Sequence, residues 1–203
     1  MRLSASGYDP PMTRRGRIAF AVLTIVALTG VIEFTMGRLP LGPDGRLGLW
    51  EGNIWSIEQS QRMADPYSLS HVVHGVLFFG MLWLVARRLP LGPRFVLAVL
   101  LEASWEVLEN SPIVIDRYRA VTIALGYEGD SILNSTSDIV MMSLGFLMAS
   151  RMRWWLSVAV VVTIEAGCLL WVRDNLTLNI VMLVHPVEAI KAWQMAAAPM
   201  GLR

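Results

Sequence analysis

Cysteine is nearly absent from this chain of 203 residues: Cys168 is the only one. It sits inside an apolar run from Val158 to Val172, which excludes a disulfide framework and a cysteine metal cluster and makes the thiol a small buried hydrophobe. Charge is scarce too. Only 16% of residues are Asp, Glu, Lys or Arg against 55% hydrophobic ones, and the mean hydropathy is +0.52, too apolar for a soluble domain of this length. The net charge of +1 comes without a basic footprint, which excludes nucleic acid as a partner. Internal duplication is missing as well. The hexapeptide Arg-Leu-Pro-Leu-Gly-Pro recurs at 38–43 and 88–93, but each copy follows an apolar run and reads as a helix exit, because Pro and Gly stop helices.

What remains is a set of apolar segments near bilayer length: Ile18 to Met36, His71 to Ala86, Phe95 to Leu108, Ile132 to Ser150 and Trp154 to Val172. The first follows basic residues as a signal peptide would. It is long, however, and no small-x-small cleavage site precedes Gly37-Arg38, so it reads as an uncleaved helix. Arg2, Arg14, Arg15 and Arg17 precede it, Arg87, Arg88 and Arg94 stand between the second and third segments, and Arg151 and Arg153 between the fourth and fifth. By the positive-inside rule these three stretches are cytoplasmic, opposed only by Asp9. The expected fold is an all-α integral membrane bundle of about five transmembrane helices, N-terminus in and C-terminus out. It forms one membrane domain, with a cytoplasmic tail over 1–16, the bundle over 17–173 and an external tail over 174–203. In that tail Glu188, Lys191 and Gln194 oppose Val187, Ile190 and Trp193, the pattern of an interfacial amphipathic helix. The expected location is the inner (plasma) membrane, with the bilayer itself as the first partner.

Threaded alternately, these segments bring their polar ends to one side. Glu102, Glu106, Glu109 and Asn110 lie on one stripe of the third helix, and Asp130, Asn134 and Asp138 recur every four residues on the fourth. His71 and His74 open the second helix one turn apart, with Gly75 beside them to admit a neighbouring helix. Glu33 comes from the first helix, and Glu165, Arg173 and Asp174 from the fifth. A charge at bilayer depth costs about 2.5 to 3.5 kcal/mol on insertion scales, so such a layer persists only if its groups pair, lose charge or hold a ligand.

Three readings follow. The acids bond across the bundle only to fix packing; or His71 and His74, with some of the acids, bind a divalent metal that activates water, Glu106 and Asp130 being the candidate catalytic carboxylates; or the layer is a polar cavity. In the last case Glu102, Glu109, Asn110, Asn134 and Asp138 line it, Asp116, Arg117 and Asp174 form its rim, and Arg117 and Arg173 hold an anionic group bidentately. The leading function is recognition or modification of an envelope lipid or related amphiphile. A non-catalytic accessory subunit of a larger membrane complex and a proton or small-solute pathway are the alternatives.

The stretches Glu102-Ala-Ser-Trp-Glu-Val-Leu-Glu-Asn-Ser-Pro112, Asp116-Arg-Tyr-Arg119, Gly129-Asp-Ser-Ile-Leu-Asn-Ser135 and Arg173-Asp-Asn-Leu-Thr-Leu-Asn179 resemble an uncharacterised family of bacterial multi-spanning inner-membrane proteins, classed as a domain of unknown function. The resemblance covers about residues 31 to 195 and implies location and architecture without an activity. Members commonly carry a Cys-x-Cys pair where Gly42 and Asp44 stand here and a His where Arg62 stands, so no role for those thiols carries over. A looser similarity to the teicoplanin-resistance type of small membrane protein rests on a His at one helix start and acids on the next two.

Overall fold

The computed structural model describes residues 12–200, so Arg2 and Asp9 of the expected N-terminal tail lie outside the described residues. Within them the regular elements are eight helices: α1 (Arg14–Thr35), α2 (Ser68–Val85), α3 (Leu91–Glu109), α4 (Pro112–Val121), α5 (Ile132–Ala149), α6 (Trp154–Val172), α7 (Leu176–Val184) and α8 (Glu188–Met195). A single β-bridge joins Trp50 to Ala64 in the long loop between α1 and α2.

Four helices, α1, α2, α5 and α6, have 18 to 22 residues and are apolar enough to cross a membrane. At about 1.5 Å per residue they reach roughly 27 to 33 Å, against a hydrocarbon core of about 30 Å. α3 has 19 residues but carries Arg94, Glu102, Glu106 and Glu109, and it packs against α1, α2 and α5. The five-helix expectation thus resolves into four apolar helices and one with an ionisable face. Large side chains such as Leu23 and Leu170 stand exposed on α1 and α6, as suits helices that meet lipid instead of water.

The tightest seam joins α2 to α5. A Cβ added at Gly75 would overlap the Met142 carbonyl oxygen, and one at Gly145 would overlap that of Val72. Only glycine lets two backbones meet this closely. At one end of the seam Leu82, Ala98, Val99, Ala103, Ile139, Met142 and Phe146 form a dry apolar core, with Phe79 edge-on to Phe146 at 5.4 Å between ring centroids. The other end of the same seam carries His71 and Asp138, with Glu102 and Glu106 from α3 beside them.

Three local features depart from the sequence expectation. α4 lies between the third and fourth apolar segments, where hydropathy marks no element, with Ser111 accepting from the Val114 N–H and Pro112 in the first turn, where its missing N–H costs nothing. For the same reason the second copy of the hexapeptide is more than an exit: Pro90 caps α3 and Leu91-Gly92-Pro93 begins it. α8 forms as expected, but its polar stripe does not all face solvent. Gln194 is buried and donates to the Arg173 carbonyl and the Asp174 carboxylate, 3.0 Å each, while Trp193 is partly exposed.

Candidate functional site

Each wall of the site is set by a local capping arrangement. Before α2, the Asp65 carboxylate accepts from the backbone N–H groups of Tyr67 at 2.7 Å, Ser68 at 3.2 Å and Ser60 at 3.0 Å. That fixes the first turn from which His71 and His74 project. α6 ends on Arg173 in the left-handed region at φ 56°, a reversal that turns Asp174 back toward α2. Tyr67 then donates to Asp174 at 3.0 Å, and so do Asn179 at 3.1 Å and Gln194. Asn175 caps α7 by accepting from the Leu178 N–H at 2.8 Å, and Glu165 accepts from the Leu176 and Thr177 N–H groups. Glu165 is therefore a capping residue.

Between α3 and α5 the pairing is reciprocal. Asn110 donates to Asp130 Oδ2 at 3.1 Å and accepts the Asp130 N–H at 2.6 Å, and Tyr127 donates to Asp130 Oδ1 at 3.0 Å. Asn134 donates to the Arg62 carbonyl at 2.8 Å, tying α5 to the long loop. Glu33 of α1 is 1% exposed, with one oxygen unpartnered.

The centre is a cluster of imidazoles and carboxylates. His71 Nδ1 lies 2.6 Å from Glu102 Oε1, and His74 Nδ1 lies 3.1 Å from Glu102 Oε2. His71 Nε2 is 3.6 Å from Asp138 Oδ2 and Nδ1 is 3.4 Å from Glu106 Oε1. That last approach lacks hydrogen-bond direction, because both Glu106 oxygens have no hydrogen-bond partner, and neither does Asp138 Oδ1. One ligand atom each from His71, His74 and Glu102 fall within 4.8 Å of one another, as do those of Glu106, Glu109 and Asp130.

Beside the cluster opens a cavity of about 360 Å³. Asp65, Glu109, Asp130, Asp138 and Asp174 line its polar part with His71, His74, Tyr67, Tyr118, Tyr127 and Asn134. Leu77, Phe78, Trp105, Ile180 and Leu183 line the rest, and Leu77 and Ile180 are half exposed. No Lys or Arg is among the lining residues. Burial pushes the Asp130 carboxyl up to about 6 even though the Tyr127 hydroxyl favours its anion. It pushes Asp174 up to about 6 as well, against four donors. Asp65 is raised for the same reason.

Of the residues singled out in the sequence, His71, His74, Glu102, Glu106, Glu109, Asn110, Asp130, Asn134, Asp138 and Asp174 are brought together, although Glu102, Glu106 and Asn110 stand behind the cavity wall, fully buried. Three are not. Asp116 is exposed and meets only Arg119, at 3.7 Å. Arg117 spends its Nε and Nη2 on the Leu183 carbonyl, at 3.0 and 2.9 Å. Arg173 donates to the Trp193 carbonyl and lies over that indole. The two arginines fasten α7 and α8, so the expected bidentate anion clamp does not form. Sequence reasoning missed Asp65, Tyr67, Tyr118 and Tyr127, although Asp65-Pro-Tyr-Ser68 before an apolar run is a helix-start signal. At the far edge of the loop Arg62 pairs bidentately with Asp44, 3.0 Å on each arm, and also with Glu58. The guanidinium holds the Asp44 carboxyl below its usual value.

A family model described as a protein of unknown function (DUF2585) matches residues 33–196. The chain is 50% identical over 184 residues to a UPF0314 protein of Sphingopyxis alaskensis, covering 90% of this chain and 96% of that one. It is 47% identical over 184 residues to a UPF0314 protein of Paracoccus denitrificans, covering 91% and 95%. A UPF0314 protein of Agrobacterium fabrum is 50% identical over 176 residues, covering 87% and 89%. No solved structure matches.

Proposed function

We propose that this chain, which belongs to the DUF2585 family of unknown function, binds or modifies an envelope amphiphile in a cavity open toward the outer leaflet of the inner membrane. The observation that carries this reading is the two-part lining. Carboxylates and imidazoles share the cavity with Leu77, Phe78, Trp105, Ile180 and Leu183, and His74 adjoins Phe78 and Trp105, so a polar head and an apolar chain each find matching chemistry side by side. The outward orientation rests on the distribution of arginines between the helices.

The head is one that brings positive charge. Five acids and no Lys or Arg line the cavity. A charge pair at about 4 Å in partly buried surroundings is worth roughly 4 kcal/mol, attractive for an ammonium and repulsive for a phosphate. Because Asp130 and Asp174 ionise near pH 6, the attraction grows as pH rises through that value.

The test places a photoreactive benzoylphenylalanine at Leu77, or at Leu84 seven residues along the same helix. Each protein is reconstituted in nanodiscs of equimolar phosphatidylethanolamine and phosphatidylglycerol, and the cross-linked lipid is identified by mass spectrometry. Enrichment of the amine-headed lipid at Leu77, with the bulk ratio at Leu84, is expected. The bulk ratio at both positions would sink the proposal.

A further inference from the structure

We propose that His71, His74, Glu102 and Glu106 are the ligands of a divalent transition-metal ion. The proposal goes beyond the amphiphile reading and does not depend on it. Two helices supply the donors in matching pairs: the imidazoles lie one turn apart on α2, and the carboxylates one turn apart on α3. Donors bound at about 2.1 Å in a tetrahedron stand roughly 3.4 Å apart. The observed separations are 2.6 Å from His71 Nδ1 to Glu102 Oε1, 3.1 Å from His74 Nδ1 to Glu102 Oε2 and 3.4 Å from His71 Nδ1 to Glu106 Oε1. His71, His74 and Glu102 already offer donor atoms within 4.8 Å of one another, and Glu106 approaches from the His71 side, so a movement of its side chain toward that trio would complete the set of four.

Hydrogen bonding alone accounts for half of this cluster and leaves the other half unexplained. Glu102 receives both imidazoles. Glu106 is 0% exposed, and both its oxygens lack a hydrogen-bond partner, yet Oε1 lies 3.4 Å from the ring nitrogen that Glu102 already holds. A carboxylate dry on every side needs a cation or a proton. A metal ion satisfies Glu106 and Glu102 together, since two carboxylates and two neutral imidazoles around a doubly charged ion sum to zero.

Asp138 supports the assignment from behind. Its Oδ2 faces His71 Nε2 at 3.6 Å, beyond hydrogen-bond length but on the side away from the carboxylates. A carboxylate in that position keeps the proton on Nε2 and leaves the Nδ1 lone pair free for a metal, so Asp138 is a positioning residue. The donor set is nitrogen and oxygen with no thiolate, which suits zinc and its neighbours over copper(I). Because His71 and His74 also line the cavity, a bound ion would supply Lewis acidity where a ligand head arrives.

The test uses the full chain in detergent, stripped with chelator, exchanged into chelator-free buffer and titrated separately with Co²⁺ and Zn²⁺. One equivalent of Co²⁺ per chain with visible ligand-field bands is expected, along with an X-ray absorption spectrum fitted by two imidazole nitrogens. His74→Ala and the isosteric Glu106→Gln should each weaken binding at least about tenfold, while Asp116→Asn binds as wild type. Circular dichroism checks that each variant is folded. Absence of saturable binding in the wild type overturns the proposal, as does a spectrum without imidazole or undiminished affinity in folded Glu106→Gln. The first two readouts need no variant, so a variant that fails to fold does not decide the matter.

Discussion

The two ends of the α2–α5 seam are equally dry and are held together by opposite means. At one end Met142 and Phe146 are 0% exposed, and at the other so are Glu102 and Glu106. The apolar end meets the demands of burial by shape alone. Phe146 sits between Phe79 and Phe95, and any close-packed set of rings and methyl groups would do nearly as well. The polar end must match donors to acceptors. It does so for Asp65, Asp130 and Asp174, and it leaves Glu33, Glu106 and Asp138 with unmet oxygens. Packing is sufficient reason for the first end and insufficient for the second. That difference is why function is sought among the carboxylates.

The comparison can be broken most severely from the apolar end. Phe146→Ala should cost about 3 kcal/mol of stability, the low end for such a truncation, because lipid chains and neighbouring residues solvate the exposed ring contacts better than water would. Thermal melting in detergent measures the loss, and Co²⁺ affinity in the surviving folded fraction should be unchanged. A parallel collapse of metal affinity would mean that the two ends are one cooperative unit.

The polar end should show its own signature in pH. Burial raises the folded-state value of Asp130 from 3.8 to about 6. The stabilisation from holding its proton is complete below the unfolded value and is lost as pH rises through the folded one. For a shift of this size the loss between pH 4.5 and 7 is roughly 2 kcal/mol. Melting across that range should show the wild type weakening with pH and Asp130→Asn weakening less. Identical slopes would assign the pH dependence to other groups.

The smallest effect sharpens the boundary of the site. Asp116 stands exposed beside Arg119 and outside the cavity. Asp116→Asn should therefore shift stability by less than about 0.5 kcal/mol, with lipid cross-linking at Leu77 unaltered. A clear loss of cross-linking would return Asp116 to the rim that sequence reasoning assigned it.

Much of this contrast is legible in the sequence. α6 runs from Trp154 to Val172, as the apolar run does, because a helix bounded by arginines and hydrophobic all round has no other reading. α1 begins earlier than its apolar run because Thr13 caps the chain by accepting from the Gly16 N–H at 3.1 Å; hydropathy does not register a polar first turn. α4 escaped notice because it is short and mixed, its Ser-Pro start being the one available signal. The cavity's loop residues escaped for a different reason. Asp65 and Tyr67 lie in the connection between the first two apolar segments, and nothing local says that Tyr67 will reach Asp174, 107 positions away.

Sequence alone determined the all-helical class of molecule, its long apolar segments and the gathering of acids, His and Asn at one end of them, since composition and a 3.6-residue period act within a helix and need no partner. The tertiary structure decided which of those groups meet. It closed Gly75 onto Gly145 and so set His71 against Glu102 and Asp138. It also gave Arg117 and Arg173 to backbone carbonyls of α7 and α8, leaving an acidic cavity where an anion clamp was expected. The physical reason is that a long charged side chain takes the nearest unmet carbonyl, and which carbonyl is nearest depends on the rotation and path of elements far apart in the chain.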